Sequence, residues 1–144
     1  MEKLALEKVK ELYGLEFTKR LEQLFRNETA HFKSGNYKKT FSPGMEATKD
    51  IFPYGWKSLL LFWINNPQHA PIGIYKQVEN TSALAKSRGT RSFIQFASPL
   101  ASMMTVAYLI EIRGGKFGSW FSTNPKSQKA YEDELDKIKV RLIK

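Results

Sequence analysis

The chain contains no cysteine. That absence excludes disulfides, thiolate metal ligands and a cysteine nucleophile. Histidine is nearly as scarce, and His31 and His69 alone do not make a transition-metal site, so no metal and no cofactor are expected. Long apolar runs are missing too. The longest, SLLLFWI, is about a third of the ~20 residues a membrane-spanning helix needs, which argues against stable membrane insertion. The opening MEKLALEKVKELYG alternates acids and bases, unlike a signal peptide, so synthesis in the cytoplasm without one is expected. Repeats, linkers and low-complexity tracts are absent. Acids are in short supply: 14 against 23 Lys and Arg, a net charge of +9. Such a balance favours anionic partners, whether nucleic acid, acidic membrane or bacterial cell wall. What remains is 144 residues, suited to one domain over 1–144, with enough apolar residues (42%) to fill a core.

Periodicity predicts a mainly α protein. EKLALEKVKELYG reads as a first helix with Ala5, Val9, Leu12 and Tyr13 near one face and Gly14 as its stop. Phe17, Leu21, Leu24, Phe25 and Phe32 keep helical spacing over residues 16–32. Residues 33–55 are punctuated by Gly and Pro and read as an irregular lobe with short strand or single-turn pieces. YGWKSLLLFWINN is a short apolar helix ended by Asn65, Asn66 and Pro67. Residues 66–92 read as loops with one short helix around YKQVENTSALAKSRG. Ser98 and Pro99 cap and start a helix with a buried stripe of Leu100, Met103, Met104, Ala107 and Tyr108, ended by Gly114 and Gly115. Asn124 and Pro125 do the same for a last helix bearing Tyr131, Leu135, Ile138 and Leu142; Ser127 stands where a capping box would want Glu or Gln.

Glu28 breaks the pattern. It lies seven residues after Leu21, four after Leu24, three after Phe25 and four before Phe32, which puts one acid on the apolar stripe. Lys19, Arg20, Glu22 and Gln23 fall largely on other faces. A carboxyl group in partly apolar surroundings resists ionisation, and a raised pKa is what a general acid needs near neutral pH. The same placement also suits a structural acid that pairs with Lys or Arg or accepts amides from the loop SGNYKKTFSPG. His31, three residues on, carries no assigned role.

The segment NETAHFKSG…TFSPGM resembles the signature of the lysozyme-like superfamily, notably lytic transglycosylases, goose-type lysozymes and bacterial glucosaminidases. There a helix ends in Glu followed by Ser or Thr, an aromatic follows, and a polar loop leads to a Gly-centred turn. The matching positions are Glu28, Thr29, Phe32, Ser42, Gly44 and Met45. The tail GGKFGSWFSTNPKSQKAYEDEL is similar to the end of phage and bacterial wall glycosidases. The GAxGLMQ-type segment is replaced by SPGMEA, and the AYNAG-type segment by VAYLIE with Tyr108, which leaves hydrolysis and transglycosylation both open.

The resemblance implies a lysozyme-like helical domain with a small irregular lobe, acting as a monomer on the glycan strands of peptidoglycan. It implies Glu28 as the general acid, in a phage lysin freed by a holin or carried in a virion. Ser42, Met45, Tyr75, Tyr108 and Trp120 are candidate substrate-binding residues, with Tyr54, Trp56 and Phe117 as further aromatic candidates. Trp56 and Trp63, beside LLLF, suit the core better than a sugar-binding role. Glu46 and Asp50 are candidate second acids, with Glu79 a third; each suits a solvated charge better than a catalytic role. Two other classes fit the composition: a basic nucleic-acid-binding module, suggested by NYKKT and KSRGTRS, and a virion structural protein without catalysis. The scattered positive charge, with no basic helix face interleaved with aromatics, weighs against the former.

Overall fold

The computed structural model describes residues 1–47, 56–78 and 89–144, leaving the side chains of Trp56 and Val78 undescribed. It is mainly α. In chain order the elements are α1 (Glu2–Tyr13), α2 (Leu15–Glu28), α3 (Gly35–Thr40), α4 (Trp56–Asn65), β1 (Gly73–Val78), β2 (Thr90–Gln95), α5 (Pro99–Ile112) and α6 (Pro125–Asp136). Two single 3-10 turns, Pro67–His69 and Phe117–Trp120, join them.

The helix α5 is the axis of the molecule. Its cap forms as the sequence predicts: Ser98 Oγ accepts the Ala101 amide at 3.1 Å, and Pro99 takes the first turn. The predicted stripe is too narrow, however. Ala101 through Ala107, with Leu109 and Ile110, are all buried, whereas Leu100 and Tyr108 are only half-buried. A helix apolar on every side is one surrounded by protein, and α1 and α4 pack against it. Its few hydroxyls are satisfied internally: Trp63 Nε1 donates to Thr105 Oγ1 at 3.0 Å, and Thr105 Oγ1 donates to the Ala101 carbonyl at 2.8 Å.

The helix α1 buries Ala5, Leu6 and Val9 against this axis, and Leu12, expected inside, is 70% exposed. One turn separates it from α2 at Gly14, whose φ of +87° with an extended ψ of 168° is a conformation essentially confined to glycine. The Gly14 carbonyl then accepts both the Thr18 amide and, at 2.7 Å, the Thr18 hydroxyl.

The region after α5 differs from expectation in its last turn. Asn124 Oδ1 accepts the amides of Lys126 and Ser127, so α6 starts where its cap predicts. It stops at Asp136, and Ile138 and Leu142 belong to a non-helical tail that returns along α2. Ile143 in this tail is buried.

The lobe after α2 is a small sheet, not only loops. β1 and β2 pair antiparallel, with Ile74 opposite Ile94 and Tyr75 opposite Phe93. On the other edge of β2, Ile94 N donates to the Met45 carbonyl and Ala47 N to the Ser92 carbonyl. The expected helix over 75–89 is therefore wrong for Tyr75 to Val78, which lie in β1; the rest of that segment is outside the described residues. Ile74, Tyr75 and Val78 lack a period-two pattern, and it is the pairing with β2 that makes this segment a strand. α3 packs on β2, its N-cap Ser34 accepting the Tyr37 amide.

Candidate functional site

The helix α2 carries the site, and its interior face is wider than the apolar residues indicate. Leu21, Leu24 and Phe25 are buried as expected, but so are Thr18, Glu22, Arg26 and Thr29. Thr18, Glu22 and Arg26 recur every four residues, and Thr29 follows three later, so they form one polar ridge beside the apolar stripe. Glu22, expected on an outer face, is fully buried. The C-terminal tail is the reason. Glu22 Oε2 accepts Arg26 Nε at 2.7 Å and Arg141 N at 2.8 Å, and Oε1 accepts the amides of Leu142 and Ile143, both at 3.0 Å. Burial alone would raise its pKa, but this set of donors outweighs that and holds the carboxyl below its ordinary value.

The helix ends at Glu28, four residues before the expected Phe32. Thr29 closes it, with its amide and, at 2.5 Å, its hydroxyl both donating to the Phe25 carbonyl. Ala30, His31 and Phe32 follow with φ of +50°, +58° and +68°. Three successive non-glycine residues in the left-handed region cost about 1–2 kcal/mol each. The turn is held by Thr29 Oγ1, which accepts the Phe32 amide at 2.8 Å, by the Thr29 carbonyl, which accepts Lys33 and Ser34, and by the Arg26 guanidinium, 5.2 Å over the Phe32 ring. Backbone strain retained directly after an acid is the kind of outlier that clusters at functional sites.

Glu28 itself is exposed, yet its carboxyl is desolvated and its pKa is raised. The two facts fit a carboxylate that is open to water on one side and surrounded by protein on the others. Among the described residues its partner is neither a Lys or Arg nor a loop amide but the Tyr131 hydroxyl, which donates to Oε1 at 2.5 Å. That bond, with a smaller contribution from the Asn27 side chain, offsets part of the rise caused by desolvation. Tyr131 is buried on α6, and burial together with the Glu28 charge pushes its phenol well above the ordinary range, so it stays a donor. Phe121 stacks on Tyr131 with ring centres 5.2 Å apart and planes 13° from parallel.

The other candidates sit as follows. Ser42 is buried and its Oγ accepts the Met45 amide at 3.0 Å, so it serves the turn. Met45 is a core residue at 1% exposure. Neither side chain presents itself to a large ligand. Tyr75 is half-buried on β1. Tyr108 is half-buried on α5 and stacks on Phe62 at 4.5 Å. Trp120 ends a 3-10 turn, half-buried against the core and not free in a loop; Phe117, in the same turn, is buried. Trp63 is buried, as its core reading had it. Glu46 is ion-paired with Arg91. Tyr54, Asp50 and Glu79 lie outside the described residues. Among the described residues the side chains that bond Glu28 are Tyr131 and Asn27, and neither carries a motif signal. Tyr131 is 103 positions away and reads in the sequence as one more member of a helical stripe.

Among the described residues no group of three His, Asp or Glu side chains is arranged to hold a metal, and no helix is long and apolar enough to cross a membrane. Comparison with family models, curated proteins and solved structures finds no match.

Proposed function

We propose that this chain is a lysozyme-like glycosidase that cleaves the glycan strand of peptidoglycan, with Glu28 as its general acid. The observation that carries the reading is Glu28 itself: a helix-terminal carboxyl, reachable from solvent, desolvated enough to raise its pKa and held by Tyr131. A carboxyl so tuned keeps its proton to higher pH than an ordinary one. In the reaction Glu28 gives that proton to the glycosidic oxygen as the C1–O bond breaks and the sugar gains oxocarbenium character. Water, or the sugar's own 6-hydroxyl, then bonds to C1 and returns a proton to the Glu28 carboxylate. Tyr131 is a positioning residue that fixes the carboxyl's orientation. Glu46, neutralised by Arg91, is a weak second acid, so the reading needs only Glu28.

The excess of basic residues suits attraction to an anionic bacterial envelope, and a phage lysin reaching the wall through a holin or within a virion is the setting that fits. The test is clearing of purified peptidoglycan. Glu28→Gln keeps the shape and an acceptor for Tyr131 but no acidic proton, and activity is expected to fall by roughly 10²–10⁴-fold. Equal clearing by the variant removes Glu28 from the mechanism, and no clearing by the unmutated chain removes the glycosidase reading in favour of a binding or structural role. Mass spectrometry of the products, reading a reducing-end muramic acid, a reducing-end glucosamine or a 1,6-anhydro sugar, identifies the bond and the attacking group.

A further inference from the structure

The exposed large apolar side chains of the described residues are all aliphatic except one: Phe121, at 63% exposure. A single exposed apolar residue is ordinary in itself, but this ring is unusually well fixed. It lies nearly parallel against the buried Tyr131, while most of the residue is open to solvent. Its backbone closes the 3-10 turn, Phe121 N and Ser122 N both donating to the Gly118 carbonyl. That turn is tied to α6 by Gln128 Nε2, which donates to the Ser122 carbonyl at 2.8 Å. It also approaches α6 so closely that a Cβ on Gly118 would lie 2.5 Å from the Gln128 carbonyl. Two contacts therefore lead from this ring to the acid: Phe121 on Tyr131, and the Tyr131 hydroxyl on Glu28.

We propose that the outer face of Phe121 is a sugar subsite, stacking the C–H face of one N-acetylhexosamine ring of a β-1,4-linked glycan beside Glu28. The inference rests on the glycosidase reading and deepens it. A pyranose carries its hydroxyls on its rim and presents weakly positive C–H groups on its flat face, which match the negative face of an aromatic ring. A ring already immobilised by stacking loses little further freedom on binding, so its contact is not offset by an ordering cost. Because Phe121 stacks on the ring whose hydroxyl holds Glu28, a sugar on Phe121 is linked to that carboxyl through two side-chain contacts.

The experiment is calorimetric titration of the full chain carrying Glu28→Gln with a tetramer of β-1,4-linked N-acetylglucosamine, so that nothing is cleaved. Adding Phe121→Ala is expected to weaken binding roughly tenfold, the loss of one good ring contact. Phe121→Trp is expected to bind as well or better, and Tyr131→Phe, which keeps the stack without the hydroxyl, to bind nearly as the parent does. Unchanged affinity in a folded Phe121→Ala variant overturns the subsite, as does a parent that binds no tetramer at millimolar concentration. Phe121-dependent binding with no cleavage by the unmutated chain removes the glycosidase reading and leaves the subsite. Glu28-dependent cleavage with Phe121-independent binding removes the subsite alone.

Discussion

Replacing Glu22 by glutamine changes one oxygen to nitrogen, and the geometry makes that change severe. The carboxylate is fully buried and every group around it is a donor: Arg26 Nε and Arg141 N on Oε2, Ile143 N on Oε1, and Leu142 N between the two. A glutamine has one acceptor oxygen. Whichever way its amide is turned, the NH₂ faces either Arg26 and Arg141 or Leu142 and Ile143, donor against donor. Each buried donor left unsatisfied costs about 1–3 kcal/mol, and removing one partner of a buried ion pair about 3–5 kcal/mol. These overlap, so the expected loss is about 3–5 kcal/mol, a large share of the ~5–15 kcal/mol that holds a domain together. Urea denaturation followed by circular dichroism measures it: at a slope of ~2 kcal/mol per molar, the midpoint should fall by roughly 2 M. A loss below about 1 kcal/mol would refute the reasoning. The pH dependence gives a second reading. Glu22 has a depressed folded pKa, so its contribution is complete above the ordinary carboxyl value and is lost as pH falls toward the folded one. Glu22→Gln should therefore flatten the acid limb of the stability curve. Glu28, with a raised pKa, has the opposite sign: its ionisation opposes folding as pH rises through that value.

Tyr131→Phe removes a hydrogen bond that lowers the Glu28 pKa, so the Glu28 carboxyl, followed by ¹³C chemical shift against pH, should titrate higher still; a downward move would contradict the assignment. Ala30→Gly relieves one left-handed residue on an exposed turn and should raise stability by about 1 kcal/mol, seen as a higher Tm; a drop would show that the turn is not strained there. Gly118→Ala forces a Cβ into the Gln128 backbone and should cost about 1–3 kcal/mol, while the Phe121 ring signals shift as the turn moves off α6; a silent substitution would refute the close approach.

Much of the helical frame was legible because its signals are local. Ser98 with Pro99, and Asn124 with Pro125, mark helix starts by chemistry that acts within one turn, and the glycines at 14 and 114 lie at helix ends. The singling out of Glu28 was local too, since four- and three-residue offsets from Leu24 and Phe25 place it on the apolar stripe, although the helix ends there and leaves the residue exposed with only its carboxyl desolvated. What lies opposite a given helix face is not local. Nothing near Glu22 in the chain says that three backbone amides from residues 141–143 will fold back onto it, so a charged residue on a polar-looking face became a fully buried acid. The same holds for Tyr131, whose periodicity places it in the core but cannot tell that its hydroxyl ends on Glu28. Ser42 and Met45 show the converse: they matched a motif, and packing turned them to the turn and the core. The ribbon of β1 and β2 was missed because short, half-open strands carry little hydrophobic alternation. The sequence by itself determined where helices begin, which residues are apolar and which acid stands out. Only the tertiary structure decided which carboxylate is clamped by amides and which is left open to solvent, because that depends on donors brought from more than a hundred residues away.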